Sequence, residues 1–287
     1  MDIRHIVAAT DESDAGRQAV RSAMEVASRA GARVTILRIM PVEASRGLAS
    51  VGAGASLADG RRDEAARLHL RRWLQADVLS PTEAEKVELG TASGIPGIEI
   101  CRFAERVQAD LLVLGRKRHS TMMRLLLGDT ADAVARRSRY PCLFVPPGGR
   151  RVRQMLVALD GSDRGDSVLD HACDLAHQFG ASLRAITVER APDNEPLHLV
   201  TELPLARSMS LQIRVREALS RKGLPDVPLA IRRGDILERV IAEAQEIPAD
   251  VLVVGYHRGG PPGVLEAGST ARRLVHASPC AVLTIPL

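Results

Sequence analysis

Residues 3–31 read IRHIVAATDESDAGRQAVRSAMEVASRAG, and the pattern returns at residues 152–180 as VRQMLVALDGSDRGDSVLDHACDLAHQFG. At a shift of 149 residues Asp11 falls on Asp160, Gly31 falls on Gly180, and the apolar positions between them coincide. A second set, Gly94, Ala109, Asp110, Gly115, Arg118 and Gly128, returns at a shift of 140 as Gly234, Ala249, Asp250, Gly255, Arg258 and Gly268. Repeats of this length are whole domains, because solenoid units have periods of about 20–50 residues. The sequence therefore predicts two copies of one domain, and a function has to be assigned to each copy.

The boundary between the copies is predicted at the run Pro146, Pro147, Gly148 and Gly149, since prolines followed by glycines end a strand and start a linker. This gives one domain over residues 1–147 and another over 151–287. The two shifts differ by nine, which places nine extra residues in the first copy between its second strand and Gly94. The run Gly47–Gly60, rich in Gly, Ala and Ser, is the predicted host.

Short apolar segments alternate with amphipathic segments in both halves. The predicted strands are Ile3–Ala9, Arg33–Ile39, Lys86–Leu89, Leu111–Leu114 and Cys142–Val145, then Gln154–Leu159, Ser182–Val188, Pro228–Ile231, Val251–Val254 and Ala281–Ile285. Strands that alternate with helices in this way are typical of α/β domains, in which helices cover both faces of a mainly parallel sheet. Each half is predicted to hold five strands in the order 3-2-1-4-5.

Composition excludes several classes of function. The net charge is +4, but the cations are nearly all arginines scattered among acids, which is typical of a solvated surface. Six aromatic residues are too few for a base-stacking platform, so no nucleic-acid partner is predicted. The apolar runs are far shorter than the ~20 residues of a spanning helix, and no signal-peptide segment is recognisable at the N-terminus. We expect a cytoplasmic protein with no membrane partner and with four buried, reduced cysteines.

The ends of strands one and four are the predicted site. In such sheets ligands bind beyond the carboxyl ends of the strands, where the strand order reverses, and the order 3-2-1-4-5 places that crevice between strands one and four. Asp11 and Asp160 end the first strands, and Gly115 and Gly255 end the fourth. A purely structural interpretation is also open, with each Asp in a turn or cap and each Gly permitting a tight turn.

A glycine-bordered loop follows the fourth strand of the second half. Gly255 and Arg258 are followed by nine residues and then by Gly268, Ser269 and Thr270, which open a helix. The free backbone N–H groups and the dipole of a helix start favour anions, so a phosphate fits there. Ser269 and Thr270 are equally suited to be plain N-cap residues.

These features together resemble the universal stress protein family in a tandem form. The resemblance rests on the strand-ending Asp11 and Asp160, the Ala-Asp pair before each fourth strand, the glycine-bordered loop in both halves, and the closing strands that begin Tyr140-Pro141-Cys142 and Ser278-Pro279-Cys280. It covers nearly the whole chain and implies two tandem flavodoxin-like or Rossmann-like domains. In the nucleotide-binding branch of the family, such a domain holds ATP or AMP, in some cases with Mg²⁺.

The resemblance also implies which residues meet the nucleotide. The Asp of strand one and the end of strand two meet adenine and ribose, and the glycine-bordered loop holds the phosphates. The residues implied are Asp160, Val188, Gly255, Gly268, Ser269 and Thr270 in the second half, with Asp11, Ile39, Gly115, Gly128 and Thr130 as their first-half counterparts.

The sequence departs from the family pattern in both loops. Arg118 and Arg258 replace the middle glycine and add bulk where a backbone should approach a phosphate, although an arginine such as Arg258 can also fork onto the phosphate from outside. In the first half Asp129 takes the Ser/Thr position, and two anions in contact repel by about 1 kcal/mol in water. We therefore expect nucleotide chiefly in the second half. The cations Arg116, Lys117, Arg118 and His119 either hold another anion or form a solvated basic loop.

Little in the sequence favours an enzyme, because no Ser/His/Asp set, Cys/His set or metal-ligand spacing is recognisable. Slow ATP hydrolysis is the most that we expect. The first hypothesis is a stress-response protein with one adenine-nucleotide site. The alternative is a family member that has lost nucleotide binding and acts as a scaffold or binds another ligand. The resemblance further implies dimerisation through the last strand of each half, which leaves a homodimer and an intramolecular pseudo-dimer both open.

Overall fold

The computed structural model describes residues 2–40, 53–116, 129–148, 151–160, 162, 165–189, 203–256 and 269–287. The chain divides into two compact units, residues 2–149 and residues 150–287. Both are α/β units in which parallel strands alternate with helices.

The described residues of the first unit form five strands, all paired in parallel, in the order β3-β2-β1-β4-β5. Its elements are β1 (His5–Thr10), α1 (Asp14–Ala30), β2 (Arg33–Met40), α2 (Ala53–Trp73), α3 (Pro81–Glu85), β3 (Glu88–Ser93), α4 (Pro96–Val107), β4 (Leu111–Gly115), α5 (Asp129–Arg137) and β5 (Cys142–Val145). A π-helical turn, Leu74–Val78, continues α2.

The second unit repeats this topology, in the order β8-β7-β6-β9-β10 and again with parallel pairing. Its elements are β6 (Gln154–Ala158), α6 (Gly165–Phe179), β7 (Ser182–Glu189), α7 (Leu203–Arg221), β8 (Leu229–Arg233), α8 (Ile236–Glu246), β9 (Val251–Tyr256), α9 (Ser269–Ala277) and β10 (Ala281–Pro286). The predicted fold class and the strand order 3-2-1-4-5 are confirmed.

Side chains of β2 show that helices cover both faces of the first sheet. Arg38 and His69 of α2 both contact the carboxylate of Glu12. Its neighbour Leu37 lies with Phe103 of α4 around Gly90. Because successive side chains of a strand point to opposite faces, α2 and α4 lie on opposite sides of the sheet.

Helix α1 illustrates how the sequence sets an element. Ser13 is the N-cap, and its hydroxyl accepts a hydrogen bond from the backbone N–H of Gly16 at 3.3 Å. Gly31 ends the helix in the left-handed conformation, with φ of 68°, which glycine adopts without a steric penalty. The buried face carries small and branched residues such as Ala19, Val20 and Ala23, so the helix backbone approaches the sheet closely.

The extra residues of the first unit lie mostly after α2, which corrects the prediction that the run Gly47–Gly60 holds them. Fourteen residues (74–87) join α2 to β3, including the π-helical turn and α3, whereas seven (222–228) join α7 to β8. Residues 53–60 belong to α2 itself. Short helical turns with mixed polarity have no clear hydrophobic period, so the sequence pattern did not reveal them.

Cys101, Cys142 and Cys280 are buried, Cys173 is half-buried, and none of the four forms a disulfide. Within the described ranges, every helix is too short or too polar to cross a bilayer.

Candidate functional site

The carboxyl ends of the two central strands meet at one edge of each sheet. In the first unit β1 pairs with β4, and in the second unit β6 pairs with β9, in parallel. A parallel sheet requires each connecting helix to begin at the carboxyl edge, so α5 and α9 start beside these strand ends. The strand ends between which the crevice is predicted are therefore neighbours in both units.

Each strand-one aspartate organises the loop that follows it. The Oδ1 atom of Asp11 accepts hydrogen bonds from the backbone N–H and the hydroxyl of Ser13, the N–H bond being 3.1 Å long. The Oδ1 atom of Asp160 accepts the equivalent bonds from Ser162, at 3.0 and 2.7 Å. Both aspartates are exposed at the carboxyl edge. Both aspartates therefore form turns, as the purely structural interpretation predicts. Their carboxylates nevertheless face solvent at the sheet edge where a ligand is predicted.

Close packing surrounds both fourth-strand glycines. A Cβ atom at Gly115 would lie 2.2 Å from the carbonyl oxygen of Ala15 in the first turn of α1. At Gly255 it would lie 2.6 Å from Leu287 and 2.9 Å from Val168, both of them side-chain atoms. The structure thus gives a reason for both glycines that involves no phosphate.

At the ends of the second strands, the side chains of Ile39 and Val188 lie on the sheet face opposite to the one that α1 and α6 cover. Ile39 pairs with Ala92, and Val188 pairs with Arg232. Both are half-buried and share their face with the residue two positions earlier, Leu37 in the case of Ile39. They stand at the same sheet edge as Asp11 and Asp160.

The loop residues are only partly described. Helix α5 begins at Asp129 and α9 at Ser269, and the second residues of these helices, Thr130 and Thr270, are half-buried. Gly128, Gly268, Arg118 and Arg258 lie outside the described residues, as do Lys117 and His119. Arg116 has a relative exposure of 4%, so this member of the basic run is buried and does not belong to a solvated loop.

An ion cluster that sequence reasoning missed crosses the carboxyl edge of the first sheet. Glu12, with φ of 61°, forms an ion pair with Arg38 of β2, and its Oε2 atom lies 2.9 Å from Nε2 of His69 on α2. The carboxylate is mostly buried, with 17% of its side chain exposed. An arginine between two apolar strand residues, Leu37 and Ile39, was the only signal in the sequence, because the three residues are far apart along the chain.

The second unit has a cavity of about 160 Å³. It lies between the start of α6 and the inner side of α7, beside the end of β6. Its lining is Leu159, Ser162, Gly165, Asp166, Leu169, Arg214, Val215, Glu217, Ala218 and Arg221. Asp166 accepts a hydrogen bond of 2.7 Å from Arg221, which joins the two helices. Across the described residues, no group of three or more His, Cys, Asp and Glu side chains is placed to hold a metal ion.

Comparison with known proteins identifies the family. The model of the Universal stress protein family matches residues 2–146 and again residues 151–286. The chain belongs to the universal stress protein family.

Similar universal stress proteins match the whole tandem arrangement. Universal stress protein Slr1230 of Synechocystis sp. is 23% identical over 98% of this chain and 99% of its own length. A universal stress protein structure from Archaeoglobus fulgidus covers 100% of this chain and is itself covered to 99%, with a TM-score of 0.68 and 18% identity. A universal stress protein solved in complex with cAMP matches 52% of this chain at 23% identity, with a TM-score of 0.36.

One motif behind the universal stress protein resemblance has a structural role in this chain. The Oδ2 atom of Asp110, in the Ala-Asp pair before β4, accepts hydrogen bonds from the backbone N–H groups of Arg4 and His5 at 2.9 and 2.8 Å. Asp250 does the same for Arg153 and Gln154 at 2.8 and 3.0 Å. These aspartates join the starts of strands one and four, at the sheet edge opposite the crevice.

Proposed function

We propose that this universal stress protein is a cytoplasmic stress-response protein that binds an adenine nucleotide, ATP or AMP, chiefly in its second unit. The observation that supports this most directly is the difference between the helix starts at the two crevices. Helix α9 opens with Ser269 and Thr270, and α5 opens with Asp129. A phosphate gains from the backbone N–H groups and dipole of α9, whereas the residue type that opens α5 carries a negative charge, which repels a phosphate.

Two further features support the second unit. Asp160 lies two residues after β6, and Gly255 is the penultimate residue of the adjacent parallel strand β9, which agrees with the arrangement that the family resemblance implies for a nucleotide. The exposed carboxylate of Asp160 is available to accept hydrogen bonds from a base or a ribose. Val188, Arg258 and Gly268 complete the proposed set, and Mg²⁺ would neutralise part of the phosphate charge when ATP is bound.

Isothermal titration of the purified, ligand-stripped chain with ATP and with AMP, with and without Mg²⁺, tests the proposal. We expect one site per chain. Gly268→Glu places a carboxylate at the proposed phosphate site and is expected to abolish binding, whereas the matched variant Gly128→Glu is expected to leave it unchanged. Two equal sites would contradict the preference for the second unit.

A second candidate function is supported by Arg118 and Arg258, which stand where the family pattern has glycine in each loop. On that basis the protein has lost nucleotide binding and acts as a scaffold or binds another ligand. The absence of any heat at millimolar nucleotide would favour this candidate over the first.

Oligomeric state is a separate proposal. The last strands form either a homodimer or an intramolecular pseudo-dimer, and a solution mass measured against 30.9 kDa decides between them.

A further inference from the structure

The outer face of α7 carries two large apolar side chains that are open to solvent. Met209 and Ile213 have 59% and 52% of their surface exposed, and they are two of the four exposed large apolar residues in the part of the chain that the structure describes. Residues four apart are neighbours on a helix surface, so these two side chains form a ridge. Single apolar side chains are normal on a protein surface, whereas neighbouring ones mark an interaction surface.

An open groove of about 610 Å³ continues this ridge along the same helix. Its lining is Gln212, Ile213, Arg216, Glu217, Ser220 and Arg221. Four of these residues, beginning with Ile213 and ending with Ser220, have the spacing i, i+3, i+4 and i+7. Four residues in this arrangement form the hole of knobs-into-holes packing between two helices. The outer face of α7 therefore presents both an apolar knob, Met209, and a hole that can receive one.

The charges of the groove cancel. Arg221 forms an ion pair of 2.7 Å with Asp166. The other two charged residues, Arg216 and Glu217, have opposite signs, and Nη1 of Arg216 donates hydrogen bonds of 3.3 and 3.0 Å to two backbone carbonyl groups of the turn after α7. The side chain of Arg216 is thus already ordered, so packing against it costs little further conformational entropy. A neutral groove suits an apolar side chain, since it offers no excess charge to a phosphate or an anionic lipid surface.

We propose that α7 is the interface of a two-fold symmetric homodimer, in which Met209 of each copy packs into the groove of the other copy. An interface between identical copies must be self-complementary, and α7 supplies both the knob and the hole. The two helices run antiparallel, with Ile213 of both copies at the two-fold axis. A parallel pair would instead place Arg216 against Arg216 and Glu217 against Glu217, and like charges in contact repel.

The matching helix of the first unit lacks the apolar knob. In each unit two residues four apart along this region are buried, namely Leu70 and Leu74 in the first and Val215 and Leu219 in the second. Matching these pairs places Leu68 at the position of Ile213 and Glu64 at the position of Met209. Leu68 is exposed as Ile213 is, but a glutamate at the knob position would have to lose its hydration to enter a hole. Changes at Leu68 are therefore matched controls for changes at Ile213.

The dimer is expected to be weak. The face from Met209 to Ser220 is about 17 Å long, because a helix rises about 1.5 Å per residue and has a diameter of about 10 Å. It therefore buries less than the roughly 800 Å² per partner of a standard interface, and we expect a dissociation constant on the order of 100 µM. Since no ion pair holds the two copies together, this constant should change by less than about twofold between low and high salt.

Sedimentation velocity of the full-length chain over a wide range of concentrations tests the interface. We expect the average mass to rise with concentration in the wild type and in Leu68→Glu. Ile213→Glu and Met209→Glu should weaken self-association by about tenfold or more, because each places a charge where an apolar side chain packs. Circular dichroism checks that these exposed changes preserve the fold. A mass independent of concentration, or a rise that survives Ile213→Glu, would overturn the proposal and leave the last strands as the proposed dimer contact.

Disulfide trapping tests the antiparallel orientation. Under mild oxidation Ile213→Cys should give a linked dimer, and a mixture of Met209→Cys and Glu217→Cys chains should cross-link faster than either chain alone. The wild type and Leu68→Cys, treated with the same oxidant, report the background from the native cysteines. Faster linkage of Met209→Cys alone than of the mixture would show a parallel pair and overturn the geometry.

A membrane surface is the other occupant that the experiment distinguishes. A chain that stays monomeric but binds phosphatidylglycerol vesicles, and loses this binding on Ile213→Glu, would dock this face on lipid and would overturn the homodimer. None of these measurements involves a nucleotide, so their outcome is independent of the proposed function.

Discussion

The carbonyl oxygen of Ala15 lies 2.2 Å from the point where a side chain at Gly115 would begin. The first turn of α1 therefore rests directly against the end of β4. This contact fixes the start of α1, and with it the loop of Asp11, at the carboxyl edge of the first sheet.

Gly115→Ala is expected to destabilise the first unit by about 3 kcal/mol or more, because the new methyl group meets backbone that cannot rotate away. Gly255→Ala is the matched change, and there the methyl group meets the flexible side chains of Leu287 and Val168, so about 1 kcal/mol is expected. Trp73, the single tryptophan, reports unfolding of the first unit, and hydrogen exchange reports both units. Equal losses in the two variants would contradict this difference.

Asp110→Ala is expected to lower the free energy of unfolding of the first unit by about 1–3 kcal/mol, since the exposed N–H group of Arg4 and the part-buried N–H group of His5 lose a charged acceptor. Nucleotide affinity should not change, because the residue lies at the opposite edge of the sheet from the crevice. Asp250→Ala in the second unit is the parallel case. Urea unfolding and nucleotide titration of the same variants check both statements, and a loss of affinity without a loss of stability would show a functional role.

Thr187→Val should leave the stability of the ligand-free second unit unchanged or raise it by up to about 1 kcal/mol, because it removes a buried hydroxyl that has no partner among the described residues. Thr35→Val is the control on the corresponding strand of the first unit. The hydroxyl of Thr35 bonds Nε2 of His5 at 2.8 Å and Glu88 at 3.2 Å, so its loss should cost about 1–3 kcal/mol. Hydrogen exchange over β7 and β2 measures both changes. A large loss at Thr187 would show that its hydroxyl is satisfied in the native protein.

Alkylation of Cys101 is expected to be slow at pH 8 and to accelerate up to about pH 11. Burial, with a smaller contribution from the charge of Glu105, raises the pKa of the Cys101 thiol to about 11, and only the thiolate is nucleophilic. Below about pH 9 the thiol is neutral in both the folded and the unfolded chain. Above that pH the unfolded chain ionises first, so the stabilising contribution of the neutral buried thiol is lost as the pH rises through about 11.

Iodoacetamide labelling followed by mass spectrometry measures the rate at each cysteine. Cys173 has a pKa raised by its burial and by Asp170, but it is less buried than Cys101, so it should react sooner. Cys101→Ser and Cys173→Ser assign the signals. A Cys101 rate at pH 8 equal to that of a free cysteine peptide would contradict the prediction.

Much of the fold was predictable because it depends on local pattern. The apolar runs predicted the strands, and Gly31 predicted the end of α1. The short helical elements between Leu74 and Glu85 were not predicted, since they have no sustained hydrophobic period. The site was predicted only as a set of strand ends and helix starts, and its loops lie mostly outside the described residues.

By itself the sequence determined that the chain is a tandem repeat, that each repeat is an α/β domain, and that Asp11, Asp160, Gly115 and Gly255 stand at strand ends, because repetition and periodicity are local properties. Only the tertiary structure showed that Gly115 is required by Ala15, and that Glu12 joins Arg38 to His69 in the first unit. The physical reason is that packing and ion pairing depend on distances between residues far apart in the chain. Those distances are set by how helices cross the sheet, which no local pattern specifies.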